Sequence, residues 1–199
     1  MKESHMNELR LIAPFLAWIG LMMALPDTAF AYAVRTVLTL GLLVWALRAR
    51  VRAQGVLRAL GWGVPLGLVV LTIWVLPERS AFYREWFIAG EGGTQAIAEA
   101  SWGLRILRLF GSAFVIAVAE ELFFREWMLG AASRVGVNFW IMVALFAVEH
   151  DRWLVGAVAG IIYGWLYLRK GLGAAIVAHM TTNLALGLYV MIFDQWQFW

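Results

Sequence analysis

The 199-residue chain has no cysteine, only three histidines, and 15% charged residues. Without cysteine there is no disulfide and no thiolate chemistry. No His-Glu-x-x-His occurs, which removes the local zinc signature of a metalloprotease helix. No internal repeat is visible, and repeats often accompany transport folds. What fills the chain instead is apolar. Hydrophobic residues make up 63%, twelve Trp and twelve Phe among them, and the mean hydropathy is +0.77. A soluble domain is usually about 45–50% apolar. The excess predicts an all-α, polytopic transmembrane helical bundle. The length fits one integral-membrane domain over 1–199 with no separate soluble module. The formal charge of +3 is modest, so the expected surroundings are a lipid bilayer and not a nucleic acid.

Apolar stretches of about 17–25 residues cross a bilayer, and shorter ones do so inside a bundle. Spans are expected near 11–25, 28–47, 62–76, 106–128, 137–150, 153–169 and 173–193, about seven in all. The breaks fall at Pro26-Asp27, Arg48 to Arg58, Pro77 to Gly103, Gly130 to Gly136, Asp151-Arg152, and Lys170 to Gly173. The first apolar run, flanked by Lys2 and Arg10, is read as a retained span, although Ala29-Phe30-Ala31 resembles a signal-peptidase site. Ser4-His5-Met6 matches a common cloning remnant, so no chemistry is assigned to His5. Arg48, Arg50, Arg52 and Arg58 share one loop, Arg134 lies in a second, and Arg169 with Lys170 in a third. With seven spans these loops share one side, which the positive-inside rule makes cytoplasmic, together with the N-terminus. The stretch Pro77 to Gly103, with Trp86, Phe87 and Trp102, reads as an interfacial helix, a lid or an ordinary loop. Gln195-Trp196-Gln197-Phe198-Trp199 reads as an aromatic interface anchor.

Ionisable groups inside such spans are costly, and so they mark a functional site. Glu121 and Arg125 are four residues apart on one helix face and are expected to pair. Glu120 is turned about 100° away from its neighbour and is left without a partner on its own helix, free to take a proton from water. The alternative is a charged helix end at an interface, with Glu126 part of it. His150 lies four residues after Phe146, which sets an imidazole beside an aromatic shelf. Such a His either helps to activate water or packs against a carbonyl. His179 and Asn183, also four apart, face the same way. Two N–H donors aimed at one point suit a developing oxyanion. A helix–helix hydrogen-bonded pair has the same spacing.

Together, in this order, the three motifs resemble the CPBP family, which includes the CAAX-type prenyl endopeptidases and the bacterial Abi proteins. The motifs are Glu120-Glu121-x-x-x-Arg125, Phe146-x-x-x-His150 and His179-x-x-x-Asn183, and the likeness covers roughly 104–193, the CPBP-like catalytic helices. The resemblance implies an intramembrane endopeptidase acting on a membrane-associated protein or peptide. By it, Glu120 is the base, working with His150 to activate water. His179 and Asn183 stabilise the oxyanion, while Glu121 and Arg125 support the site. Glu126 stands where many relatives have Gly. His150-Asp151-Arg152-Trp153-Leu154 and the 195–199 ending are similar to a bacterial branch associated with exosortase systems, which implies a bacterial inner membrane.

Helix rise puts Glu120 and His179 about 10 Å inside one boundary and His150 about 20 Å along its own helix from Val137. For them to meet, the 137–150 segment must tilt, start outside the membrane or be re-entrant. A zinc ion held by two His and a Glu is the alternative cofactor reading. It leaves Asn183 without a role, and a metal-independent glutamate mechanism with no cofactor is preferred. Two other classes remain open: a transporter or proton relay, and a non-catalytic binding or immunity protein.

Overall fold

The computed structural model describes residues 2–26, 28–48, 56–88, 101–131 and 138–198. Outside them lie Asp27, Arg50 and Arg52 of the first basic loop, Arg134 and Gly136 of the second, most of the polar stretch before Ser101, and Trp199. Among the described residues every regular element is helical. α1 spans Lys2–Ala24, α2 Ala29–Leu47 and α3 Val56–Val75. A 3₁₀ turn, Leu76–Arg79, and the short α4, Ala81–Phe87, follow.

The next helical run, α5, joins four pieces: Trp102–Phe110, the π-helical Gly111–Ile116, Ala117–Glu120 and the π-helical Glu121–Ala131. Then come α6 (Phe139–Val148), α7 (Trp153–Lys170), α8 (Leu172–Phe193) and a closing 3₁₀ turn, Trp196–Phe198.

The helix starts follow local chemistry. Thr28 Oγ1 accepts from Ala31 N, Ser101 Oγ from Leu104 N, and Asn138 Oδ1 from Trp140 N and Ile141 N. Each cap satisfies donors that a helix N-terminus leaves open. α7 stops at Gly171, whose φ of +86° suits a residue without Cβ.

Four helical stretches are long and apolar enough to cross a membrane: Met6–Ala24, Ala29–Leu47, Leu57–Arg79 and Leu172–Phe193. Their outer faces carry bare apolar side chains, with Met23 82% and Leu57 84% exposed. A water-soluble surface does not concentrate such residues on spanning helices, whereas lipid accepts them. The chain is an integral-membrane protein, all-helical among the described residues. The other three expected spans fall on α5, α6 and α7. α5 carries buried charges, and α6 has only ten residues, about 15 Å of rise against a hydrocarbon core of about 30 Å.

Two ladders of small residues set the helix spacing around the later helices. A Cβ on Gly67 would lie 2.5 Å from the Ala178 carbonyl oxygen and 2.7 Å from Thr181 Cβ. One on Gly63 would lie 2.6 Å from Val177. α3 therefore touches α8 backbone to backbone. On α7, Gly156, Gly160 and Gly164 face His150, Phe146 and the Phe139–Met142 pair of α6. This small-xxx-small geometry lets helices close in where lipid offers no hydrophobic drive. Lys170 Nζ sits 4.1 Å from the Trp62 ring centroid, so the start of α3 and the end of α7 share one end of the bundle.

Candidate active site

The carboxylates come from the middle of α5, where the helix changes from α to π winding. Single-turn π segments inside helices recur at functional sites, because the added residue re-aims side chains. Glu121 and Arg125 are fully buried, and Arg125 Nη1 lies 3.0 Å from Glu121 Oε1. The expected i,i+4 pair is present. The guanidinium is also boxed by rings: its carbon lies 4.3 Å from the Phe146 centroid, 5.5 Å from Tyr163 and 5.8 Å from Phe124. Aromatic faces stabilise a cation that has lost its water.

His179, from α8, is held between both carboxylates. Its Nδ1 is 2.8 Å from Glu121 Oε1, and its Nε2 faces Glu120 Oε2 at 3.7 Å. Tyr163 stacks on the imidazole, with ring centres 4.8 Å apart and planes at 22°. The Tyr163 hydroxyl donates to Thr182 Oγ1 at 2.7 Å. Thr182 in turn faces the Gly67 and Ala178 carbonyls at 2.9 and 3.0 Å. The close α3–α8 approach and the orientation of His179 are thus parts of one network.

Asn183 lies one turn beyond His179. Its Nδ2 donates to the Ser112 carbonyl at 3.0 Å, within the first π segment of α5. That bond ties α8 to α5 just before the acidic pair.

His150 follows the last turn of α6. Its Nδ1 bonds the Phe146 carbonyl at 2.8 Å. A carbonyl only accepts, so Nδ1 carries the proton and the neutral ring keeps a lone pair on Nε2. The carbonyl contact and a role in the site are therefore compatible. Phe146 joins the groups, with its ring centre 4.7 Å from that of His150 and 5.9 Å from that of His179. The geometric tension in the sequence is relieved because α6 is short and the α7 glycines draw it inward.

A cavity of about 160 Å³ opens among these residues, with His150, His179, Asn183, Ser112, Trp74 and Phe146 in its wall. One water needs about 10–15 Å³ of such volume, so several fit. Glu120 is buried behind the wall, facing His179. All six expected site residues converge here: Glu120, Glu121, Arg125, His150, His179 and Asn183. Tyr163, Thr182 and Ser112 were not singled out. Tyr163 had a signal, since it stands next to Gly164 in the Gly156-x-x-x-Gly160-x-x-x-Gly164 stripe.

Among the described residues, no group of three or more His, Asp or Glu side chains is arranged to hold a metal ion. Both nitrogens of His179 already face carboxylates.

Neither a curated protein nor a solved structure matches the chain. Residues 101–185 match the model of the Rce1-like family, described as type II CAAX prenyl endopeptidase Rce1-like. All three motifs fall inside that segment, and the match supports a place for these helices in the CPBP family.

Proposed function

We propose that the protein is a glutamic-type intramembrane endopeptidase that hydrolyses a peptide bond in a membrane-associated protein or peptide. The observation that carries this reading is the convergence of His150, His179 and Asn183 on one cavity, with Glu120 and Glu121 directly behind His179.

The chemistry follows from proton placement. Two carboxylates and one guanidinium leave the Glu120–Glu121–Arg125 cluster one proton short of neutral. In this reading that proton sits on His179, whose Nε2 faces Glu120 Oε2 at 3.7 Å. A water held by the lone pair of His150 attacks the scissile carbonyl carbon, and its proton passes to the Glu120 carboxylate. The new C–O bond pushes the carbonyl electrons onto oxygen. His179, protonated at Nε2, and the Asn183 amide donate to that oxyanion, and such donors are typically each worth about 10²–10³ in rate. When the C–N bond breaks, the leaving amine takes the proton back from Glu120. Glu121 fixes the His179 ring, as a carboxylate orients a catalytic imidazole elsewhere. Asn183 releases the Ser112 carbonyl to do its part.

The route uses no metal, and the double engagement of His179 supports that choice over zinc. The basic residues Arg58, Arg169 and Lys170 gather at one end of the bundle, which supports a cytoplasmic N-terminus. A bacterial inner membrane fits the 150–154 motif.

The test is isotopic. Purified protein in detergent is incubated with membrane peptides in ¹⁸O-water, and new carboxyl ends are read by mass spectrometry. The expected result is one ¹⁸O at each new end with wild type and none with Glu120→Gln. Unlabelled ends, or labelled ends from both proteins, overturn the mechanism.

A further inference from the structure

One part of the cavity wall comes from outside the family motifs. After α8, Asp194 adopts φ +52° and the chain reverses. In the Trp196–Phe198 turn that follows, Phe198 is buried, while Gln197 beside it is exposed. The Phe198 ring lines the catalytic cavity with His150, His179 and Asn183. It also lines a second cavity of about 420 Å³, whose wall includes Glu78, Arg79, Arg84, Gln195 and Gln197. One aromatic ring is common to both.

Two arginines clasp this strap at alternate residues. The Arg105 guanidinium lies 4.7 Å from the Trp196 ring centre, and that of Arg152 lies 5.0 Å from Phe198. Arg152 Nη2 also donates to the Gln197 carbonyl at 2.6 Å, and its Nε pairs with Glu78. Glu78 and Arg152 are both buried. Breaking such a pair is costly, but releasing the strap does not require it. Arg152 holds the strap through a backbone carbonyl and a ring face, so this latch can release while the ion pair stays closed. Arg152 is also two residues from His150, which places the latch at the edge of the site.

The outer cavity has a sign. Arg152 neutralises Glu78, and Arg79 and Arg84 bring positive charge to the same wall. A carboxylate is favoured there over a cation.

We propose that residues 195–198 form a gate between the catalytic cavity and an arginine-bearing vestibule, with Phe198 as its leaf and Arg152 as its latch, and that a carboxylate-bearing peptide segment enters by this route. What the gate admits rests on the peptidase reading, whereas the opening itself does not.

The absence of cysteine makes a direct test possible. Leu186 lines the catalytic cavity and packs with Phe198, so Leu186→Cys reports access past the ring without any assay of activity. Full-length Leu186→Cys protein is treated with 2-sulfonatoethyl and 2-trimethylammonioethyl methanethiosulfonate, each rate being normalised to a free thiol. Adding Phe198→Ala is expected to raise labelling at least tenfold, and Phe198→Leu to give an intermediate rise, with gel-filtration profiles unchanged. In both, the anionic reagent is expected to be several-fold faster than the cationic one. Phe198→Leu keeps the test valid if the alanine variant does not fold. Equal labelling with and without the ring in folded protein overturns the gate. Faster labelling that favours the cation, or neither charge, overturns the vestibule as the route. Neither result bears on peptide hydrolysis, which the ¹⁸O experiment decides separately.

Discussion

His179 Nδ1 lies 2.8 Å from Glu121 Oε1, and the same oxygen lies 3.0 Å from Arg125 Nη1. One fully buried carboxylate oxygen therefore anchors a cation on its own helix and an imidazole on another. The proposed mechanism gives the two adjacent acids different tasks. In the proposed mechanism Glu121 holds Arg125 and His179 through that one oxygen, and Glu120 is the carboxylate that exchanges a proton.

Replacing Glu121 should therefore act on stability as well as on activity. Glu121→Ala leaves a buried guanidinium uncompensated, a loss of about 3–5 kcal/mol. A clear fall in melting temperature is expected together with loss of turnover. Tyr163→Phe removes only one hydroxyl hydrogen bond and should cost about 0.5–1.5 kcal/mol. Thermal melts of both variants in one detergent check the ranking.

Asn183→Ala separates catalysis from folding. The amide's bond to the Ser112 carbonyl is partly buried and contributes about 1 kcal/mol. An oxyanion donor typically contributes about 10²–10³ in kcat. A small change in stability with a loss of that size in kcat is expected. A matching small loss in both would make Asn183 a helix tie only.

Glycine position matters through contact, not composition. A Cβ at Gly67 meets the α8 backbone at 2.5 Å, whereas at Gly41 nothing lies within 4 Å. Gly67→Ala should lower stability and displace His179. Gly41→Ala should be neutral, or stabilising by up to about 1 kcal/mol through helix propensity. Parallel melts and activities of the two variants test this.

These contrasts show what was legible in the sequence. Glu121–Arg125 was readable because an i,i+4 pair is a local fact, and the approximate helix limits followed from the apolar runs and their breaks. The candidate site residues stood out because Glu, His and Asn are conspicuous in apolar segments. Contacts between distant segments were not. Nothing near Ser112 announces that its carbonyl faces Asn183, since the π winding of α5 has no evident sequence mark. The Glu78–Arg152 pair joins residues 74 positions apart. Each of its members looks like an ordinary loop charge until the bundle closes. The meeting of His150 with His179 depended on the short α6 and on the glycine stripe of α7, whose spacing was available in the sequence.

Removal of metal offers a further check. Saturating chelation followed by gel filtration should leave turnover unchanged, because the proposed route moves protons only among side chains and water. Activity that disappears with stoichiometric zinc and returns on its readdition would replace Glu120 as the primary activator of water.

The central claim is that Glu120 makes this chain a peptidase. Cells expressing wild type or Glu120→Gln at equal folded levels are compared by sequencing the protein ends in their membranes. New ends found only with wild type are the expected result, and they would reveal the substrate and its cleavage site together. Identical ends in both, with both proteins stable, would contradict the claim and favour a binding role for the same fold.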